Sequence, residues 1–208
     1  MQRRTQTLPK IKKAFIKLIH EKGMDNLTVS DVAREAGINR GTFYLHYIDK
    51  YDLMEKLESR AIIDLETILN DNINSENVED PLELIPYAAI YKALLYVKEE
   101  FALVEALASD GGDPSFFDRV KGILEQFVAQ KLDLSMTLVI NHHAFPVDYA
   151  KELLLSGTVT IIERWIHKGG EEDPEIVARM IEEAKHLSPV ALIATTKQNA
   201  EAQEDVSA

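Results

Sequence analysis

The chain of 208 residues contains no cysteine. This absence excludes disulfide bridges, thiolate metal sites and cysteine nucleophiles. The sequence also lacks a phosphate-binding glycine loop, a nucleophile elbow and a zinc signature. The adjacent His142 and His143 would point in different directions on a helix, and no carboxylate stands at a recognisable ligand spacing from them. We therefore expect that the protein is not an enzyme and that it binds no cofactor and no metal.

Long apolar runs are missing as well. No segment approaches the roughly 20 apolar residues that a membrane-spanning helix needs. The N-terminus is basic, but no apolar run follows it as it would in a signal sequence. We therefore expect no contact with a membrane and a cytoplasmic location.

Positive charge is scarce overall and concentrated at one end of the chain, whose net charge is −12. Residues 1–60 hold 12 Lys and Arg against 8 Asp and Glu, a balance of +4, whereas the remainder holds 11 against 27, a balance of −16. A basic N-terminal quarter on an acidic body favours a protein that presents one end to phosphate groups. Chance asymmetry between the two parts is the alternative.

Apolar residues recur at helical spacing along the chain, and no stretch of useful length alternates as a β-strand does. The first helices are predicted from about Thr7 to Gly23, from Thr28 to Ala36, from Asn39 to Tyr47 and from Lys50 to about Asn70. Further helices are predicted within residues 81–108, 114–132, 147–167 and 174–186, with breaks at the Gly-Gly pairs 111–112 and 169–170. The predicted fold class is all-α.

A helix-turn-helix is predicted between Thr28 and Tyr47. Thr28 and Asn39 are good N-caps for its two helices, and the Thr28 hydroxyl can accept a hydrogen bond from the backbone of Asp31. Gly37 supplies the left-handed turn that separates the helices. Two short helices joined by about three residues are what a reader of the DNA major groove requires.

The second helix of this motif has an aromatic inner side and a polar outer side. Phe43 and Tyr47 lie four residues apart and are predicted to face the core. The outer side is left to Arg40, Thr42, Tyr44 and His46. An arginine one position after the cap can reach the two major-groove acceptors of guanine, and a threonine methyl suits thymine. Gly41, which has no side chain, lets the helix approach another surface closely.

The run from Thr28 to Tyr47, followed by Lys50 and Leu53, resembles the DNA-binding end of TetR/AcrR-type transcriptional regulators. The resemblance covers roughly residues 7–57. It implies an all-α homodimer with a three-helix helix-turn-helix head, residues 1–48. A long helix joins this head to a helical effector-binding and dimerisation domain, residues 49–188, and residues 189–208 are expected to form a frayed tail.

The resemblance also implies a repressor that binds a palindromic operator in double-stranded DNA and is released by a small-molecule inducer. Thr28, Tyr44 and Lys50 fall where members of this family contact phosphates. Base edges are approached from the positions of Arg40, Gly41, Thr42 and His46, and Asn39, which opens the helix, completes the predicted DNA-binding set. Leu45 stands where many members carry a polar or aromatic residue.

The last two predicted helices are the candidates for a dimer interface. The helix over residues 147–167 is apolar on more than one face, and the small residues Ser156 and Gly157 permit close approach of another helix. Pairing both helices with their copies would form a four-helix bundle across a two-fold axis. The predicted interface residues are Leu153, Gly157, Ile161, Ile176, Val177, Met180 and Ile181. A purely intramolecular core is the alternative.

The sequence does not identify the effector or the residues that bind it, because aromatic residues at helical spacing are more often plain core. The effector is expected to favour a body conformation that tilts the helix beginning at Lys50 and spreads the two heads. Two other functions fit the same features. One is a ligand-dependent activator of this architecture, and the other is a DNA- or protein-binding relative without a transcriptional role.

Overall fold

The computed structural model of the protein describes residues 6–73, 84–134 and 146–186. Within these ranges the secondary structure is helical and contains no strand, which confirms the predicted all-α fold. The helices are α1 (Thr7–Asn26), α2 (Val29–Glu35), α3 (Arg40–Tyr44), α4 (Lys50–Ile73), α5 (Tyr87–Glu99), α6 (Phe101–Ala108), α7 (Phe116–Leu134), α8 (Val147–His167) and α9 (Pro174–His186). His142, His143 and the predicted tail from residue 189 lie outside the described residues.

The first helix extends beyond its predicted end. Gly23 has φ +70° and ψ 167°, so the helical conformation is interrupted there as expected. The chain then forms one further turn to Asn26 before Leu27 adopts an extended conformation. The prediction located the break correctly but placed the end of the helix three residues too early, since a single glycine does not prevent a new turn from starting.

The predicted caps of the helix-turn-helix are confirmed. Thr28 Oγ1 accepts a hydrogen bond from Asp31 N at 3.1 Å, and Asp31 Oδ2 accepts one from Thr28 N at 3.2 Å. Asn39 Oδ1 accepts from Thr42 N at 2.7 Å. Gly37 has φ +65° and supplies the left-handed turn between α2 and α3. Each helix therefore starts where a side chain satisfies one of its free backbone N–H groups.

The remaining helices form a body on which the head rests directly. Helix α4 packs against α5 and α7, α5 packs against α9, and α8 packs against α6, α7 and α9. Helix α1 of the head contacts α6 of the body. The buried apolar residues of both parts form one continuous cluster. A displacement inside the body can therefore reach the head by two routes, through α4 and through the contact with α1.

No helix in the described ranges has both the length and the apolar character that crossing a lipid bilayer requires.

Candidate nucleic-acid interface

Helix α3 is held in place by two aromatic rings. At five residues it is too short to be stable alone, so its orientation depends on what it buries. Phe43 is fully buried and Tyr47 is 8% exposed, and their ring centroids lie 5.5 Å apart. The predicted inner face is therefore confirmed. Packing of these rings directs the opposite side of α3 to the outside of the head.

Arg40 and Tyr44 lie one turn apart on α3 and contact each other. Arg40 Nη2 donates a hydrogen bond to Tyr44 Oη at 3.2 Å, and the guanidinium carbon lies 5.9 Å from the tyrosine ring centroid. Both side chains are exposed. The tyrosine hydroxyl uses one of the five N–H donors of the guanidinium. The contact orders the arginine while leaving a fork of donors for an outside acceptor.

Asn39 and Thr42 are joined at the start of α3. Asn39 Oδ1 accepts from Thr42 N at 2.7 Å and from Thr42 Oγ1 at 3.0 Å. This arrangement does not use the threonine methyl group. A Cβ atom on Gly41 would lie 3.2 Å from Asn39 Oδ1, so a larger residue there would press against the cap. Gly41 thus protects the cap and also keeps the outer side of α3 flat.

Lys50 stands near the head, but its ammonium group is already hydrogen-bonded. Nζ donates to Met24 O at 2.8 Å and to Asp25 O at 3.0 Å, and it lies 5.0 Å from the ring centroid of Tyr51. Both carbonyl groups belong to the last turn of α1, so Lys50 ties α4 to α1. An ammonium group has three donors, so these two carbonyl oxygens use two of them.

Thr28 is engaged in its cap more completely than the sequence indicates. In addition to accepting from the Asp31 backbone, its hydroxyl donates to Asp31 Oδ2 at 2.7 Å. Hydrogen bonds from Thr28 and from Lys22 lower the pKa of Asp31 to about 2, so this carboxylate is ionised at neutral pH. A phosphate contact through the Thr28 hydroxyl would have to displace Asp31. The geometry therefore favours capping over the phosphate contact that the resemblance implies.

His46 closes the outer side of α3 and is half-buried. Its carbonyl oxygen accepts a hydrogen bond from Lys56 Nζ at 3.2 Å, and the same ammonium group lies 2.9 Å from Asp52 Oδ2. Sequence reasoning did not single out Lys56. Its position six residues beyond Lys50 on α4 was the available signal. Its ammonium group lies beside α3 and is paired with Asp52.

Two large apolar side chains near α3 are exposed. Leu45 is 79% exposed and Ile48 is 78% exposed. The sequence carries a signal for Leu45, since it stands outside the four-residue spacing that buries Phe43 and Tyr47. The Leu45 side chain therefore does not pack in the core of the head.

The head contacts the body at the loop between α6 and α7. Met24 N donates a hydrogen bond to Gly111 O at 2.8 Å. A Cβ atom on Gly111 would lie 2.9 Å from Gly23 Cα, a distance that real Cβ contacts do not reach. Lys12 on α1 and Glu100 at the start of α6 form an ion pair across the same boundary. Two glycines thus allow the backbones of head and body to touch.

Glu58 on α4 is a buried carboxyl group next to the same loop. It is 1% exposed, and Arg119 Nε lies 3.1 Å from Glu58 Oε1 without the geometry of a hydrogen bond. Arg119 Nη2 also lies 3.6 Å from Asp113 Oδ2. Burial and, to a lesser extent, repulsion from Asp113 raise the pKa of Glu58 to about 7, which Arg119 only partly offsets. The single positive charge of Arg119 therefore lies near two carboxyl groups, those of Glu58 and Asp113.

We expect the Glu58→Gln substitution to remove a pH dependence of stability. A carboxyl group whose pKa is raised on folding contributes stability that is complete below its unfolded pKa of 4.5 and is lost as the pH rises through about 7. The free energy of unfolding of the unsubstituted protein should therefore fall by on the order of 2 kcal/mol between pH 5 and pH 8. The glutamine variant should lose much less. Urea unfolding at both pH values measures the difference.

The matched control is Glu99→Gln, which removes an exposed carboxylate from α5. It should leave the pH dependence as it is in the unsubstituted protein. Equal slopes for all three proteins would contradict the raised pKa of Glu58.

A small apolar cavity lies in the body between α4, α5, α7 and α8. Its volume is about 40 Å³, and every side chain that lines it is apolar. The lining includes Leu65 and Leu69 from α4, Phe116, Phe117 and Ile123 from α7, and Ile162 from α8. Sites that hold small molecules usually measure about 300–1,000 Å³. A molecule of that size could enter only if the surrounding helices moved apart.

Helices α8 and α9 expose apolar side chains in two pairs with helical spacing. Tyr149 and Leu153 on α8 are 62% and 65% exposed, and Ile176 and Met180 on α9 are 47% and 45% exposed. Gly157 continues the row on α8, and an added Cβ atom there would meet no atom within 4 Å. This surface is called the α8–α9 face below. In a single copy it is open.

Not every residue predicted for the dimer interface lies on the α8–α9 face. Val177 and Ile181 are each 1% exposed and pack within the chain, and Ile161 is partly buried in the same core. Val177 and Ile181 have no surface left to offer to a second copy. The sequence could not separate them from Ile176 and Met180, because α9 carries apolar residues on both sides.

Two family models match the chain. The model described as "Bacterial regulatory proteins, tetR family" matches residues 11–57, and the model described as "Transcriptional regulator C-terminal region" matches residues 86–185. The first match covers the head from residue 11 onward and the beginning of α4. The second runs from the start of α5 to the end of α9.

Similar proteins carry related descriptions. The chain is 22% identical over 180 residues to the uncharacterized HTH-type transcriptional regulator YxbF of Bacillus subtilis. The alignment covers 86% of the chain but only 44% of YxbF. The chain is also 21% identical over 168 residues to the HTH-type transcriptional repressor BepR of Brucella suis. That alignment covers 76% of the chain and 78% of BepR. A solved TetR transcriptional regulator from Streptococcus agalactiae has the same fold, with a TM-score of 0.58 at 24% identity over 87% of this chain and 94% of that one.

Proposed function

Since the chain belongs to the TetR family of transcriptional regulators and is not an enzyme, we propose that it is a repressor that binds a palindromic operator as a homodimer and is released by an apolar small molecule. The observation that carries this proposal is the capped helix α3 at the surface of the head, which carries Arg40, Gly41, Thr42 and Tyr44 while Phe43 is buried. We assign residues 1–48 to the head, 49–188 to the effector-binding and dimerisation domain, and 189–208 to a tail.

The DNA-reading part of the proposal divides the outer residues by their chemistry. The guanidinium fork of Arg40 suits the two acceptors of guanine in the major groove, and the Thr42 methyl suits thymine. The Tyr44 hydroxyl and the third donor of Lys50 suit phosphate oxygens, which set position without reading sequence. The balance of +4 in residues 1–60 supports contact with a polyanion. Asn39 and Thr28 contribute by capping, and His46 borders the reading surface.

The dimer part of the proposal rests on the α8–α9 face. Exposed apolar side chains spaced along two packed helices leave an area that a second copy can cover with the same area of its own. Leu153, Gly157, Ile176 and Met180 belong to this surface together with Tyr149, whereas Ile161 is partly buried against the core. Gly157 lets the two copies of α8 approach closely. Four helices would then meet across the two-fold axis.

The effector part of the proposal rests on the lining of the cavity. A charged ligand placed among these side chains would lose its hydration without gaining a partner, which costs several kcal/mol. We therefore expect an effector that is uncharged and largely apolar where it contacts the cavity. The repressor BepR, to which the chain is similar, supports repression as the sign of regulation.

Release from DNA is proposed to follow from the small size of the cavity. A ligand must separate α4 from α7 to enter, because Leu65 on α4 and Phe116 on α7 both line the cavity and the two helices pack against each other. Phe116 begins α7 directly after the loop whose Gly111 contacts the head at Met24. Moving either helix would rotate the head, so that two heads no longer match major grooves about 34–36 Å apart. For a tenfold loss of operator affinity, the ligand needs to bind the expanded body only about 1.4 kcal/mol more favourably than the unexpanded body.

The decisive experiment is selection of bound sequences from a pool of random duplexes. A palindrome with half-sites about one helical turn apart, bound by two copies of the chain, is the expected result. Recovery of sequences without a common motif would reject sequence-specific operator binding. A transcription assay on the recovered operator then separates repression from activation.

We expect Arg40→Ala to relax the preference at one base pair in each half-site, because the arginine reads a base edge. The loss of discrimination should amount to about 1–3 kcal/mol, or roughly 5- to 150-fold between the best and the worst base. Lys50→Ala should instead weaken binding to all duplexes alike and reduce the dependence of affinity on salt concentration. Competition titrations with single-base operator variants measure both effects.

Arg34→Ala is the matched control, since Arg34 carries the same charge on the exposed side of α2, outside the reading helix. It should leave the base preference unchanged. An Arg40 variant that weakens specific and random DNA by the same factor would contradict its assignment to a base.

A further inference from the structure

Leu45 is the most exposed of the large apolar side chains in the described ranges, with 79% of its surface accessible. It lies on the head, next to the residues proposed to read DNA. Nothing in the folded head explains a leucine there, because the side chain contributes little to the core. The apolar contact for this side chain must therefore come from a molecule that binds the head.

The direction of Leu45 follows from the helix geometry. The backbone remains helical beyond α3, since Leu45 has φ −73° and ψ −16° and Tyr47 N donates to Phe43 O at 3.1 Å. Each residue of an α-helix turns about 100° around the axis. Leu45 therefore points about 180° away from the midpoint between Phe43 and Tyr47. Those two rings are buried, so Leu45 is the residue that projects most directly outward.

The neighbours of Leu45 on this side are Gly41 and Thr42, which lie four and three residues earlier. Gly41 presents no side chain, so a surface that approaches α3 closely would meet Leu45 next to a flat backbone. Tyr44 and His46 lie about 100° to either side of Leu45 and border the same area with hydrogen-bonding groups. Leu45 is thus an apolar centre inside a polar surface.

A DNA major groove offers one apolar group to such a centre. The edges of guanine, adenine and cytosine present hydrogen-bond donors and acceptors there, whereas thymine also presents a 5-methyl group. We propose that Leu45 packs against the 5-methyl group of one thymine in each operator half-site and so determines part of the sequence preference. This inference rests on the proposed function, because it assumes that the outer side of α3 enters the major groove.

A protein partner is the competing occupant of this area, since Ile48 is also exposed. Ile48 lies beyond α3, and its backbone N–H donates to Asp52 Oδ2 at 2.8 Å, which belongs to the first turn of α4. The backbone is no longer helical at Ile48, so this residue is not part of the helical face that carries Gly41, Thr42 and Leu45. The positive balance of the head favours a nucleic acid over a protein of ordinary charge. Ile48 is therefore the appropriate control.

The test replaces thymine by deoxyuridine, which removes only the 5-methyl group. Each thymine of the selected operator is replaced symmetrically in both half-sites, and the affinities of the unsubstituted protein, Leu45→Ala, Leu45→Met and Ile48→Ala are measured. At one position the unsubstituted protein should lose roughly fourfold per half-site, the factor expected for one buried methyl group. Leu45→Ala should bind the thymine operator more weakly and should not distinguish thymine from deoxyuridine at that position.

Leu45→Met keeps an apolar side chain of similar reach and should retain the sensitivity, and Ile48→Ala should retain it in full. The inference is overturned if no thymine replacement affects the unsubstituted protein, if Leu45→Ala is as sensitive as the unsubstituted protein, or if Ile48→Ala abolishes the sensitivity instead. A protein that selects no operator at all would reject the proposed function as well, and this outcome is distinguished before any deoxyuridine is introduced. Both Leu45 variants should melt at the same temperature as the unsubstituted protein, because the side chain is exposed.

Discussion

Leu153→Asp combined with Met180→Asp is expected to convert the proposed dimer to a monomer and to reduce operator affinity by at least roughly 100-fold. Both side chains are exposed on the α8–α9 face, so the single copy should fold normally with aspartate at these positions. In a dimer the substitutions would place four carboxylates in an apolar interface without partners. Losing the link between two heads removes the gain of about 10²- to 10⁴-fold that comes from binding two half-sites together. Analytical ultracentrifugation and operator titration measure the two effects.

The matched control is Ile63→Asp combined with Leu95→Asp. These residues are also exposed and apolar, and the substitutions change the net charge by the same amount, but they lie on α4 and α5. The control separates loss of the interface from general repulsion between the more acidic body and DNA. A double variant on the α8–α9 face that stays dimeric, or one that is monomeric but binds the operator unchanged, would refute the proposed interface or its role.

Gly111→Ala is expected to lower operator affinity in the absence of effector by at least roughly tenfold. The added Cβ atom would lie 2.9 Å from Gly23 Cα and 3.2 Å from Ile19 O, so the backbones of head and body must separate. Overpacking of this kind typically costs about 1–3 kcal/mol. If the contact fixes the head relative to the body, part of this cost is relieved by a rotated head that fits the operator poorly. Operator affinity and thermal unfolding, measured on the same preparation, show how much of the cost appears as lost stability and how much as a rotated head.

Gly122→Ala is the control for this prediction. Gly122 lies within α7, and a Cβ atom there would meet no atom within 4 Å. Alanine should leave operator affinity unchanged and should stabilise the helix by up to about 1 kcal/mol. Operator affinity of Gly111→Ala equal to that of the control would show that the contact between Gly23 and Gly111 does not set the position of the head.

The two routes between body and head meet at one loop. Gly111 touches the head, Asp113 lies beside Arg119, and Phe116 reaches the cavity wall only a few residues later. Glu58 lies against the same loop from α4, and its pKa of about 7 means that its charge changes near neutral pH. A ligand that displaces Phe116 would therefore disturb the contacts that position α1 and α4 together.

The helix-turn-helix was predictable because its signals are local in the sequence. A capping residue binds a backbone group three positions away, and Gly37 has the left-handed conformation that glycine adopts without strain. Phe43 and Tyr47 are buried as their four-residue spacing indicates. Interactions within a few residues of each other require no knowledge of the fold. For the same reason the outer side of α3 could be read from the sequence.

Glu58 illustrates what the sequence could suggest but not determine. It interrupts an apolar stripe formed by Met54, Ala61 and Leu65 on α4, so its burial could have been expected. Its pKa depends on Asp113, which is more than fifty residues away. Only the packing of the loop against α4 brings the two carboxyl groups together.

The sequence by itself therefore determined the helical class, the start of each helix in the motif and the residues that point outward from α3, because these follow from neighbours within one or two turns. The tertiary structure alone decided which apolar residues of α9 remain exposed, how Lys50 joins α4 to α1, and where Gly111 meets Gly23. These features depend on contacts between segments far apart in the chain, and in a helix such as α9 that is apolar on both sides the periodicity does not show which face another helix covers.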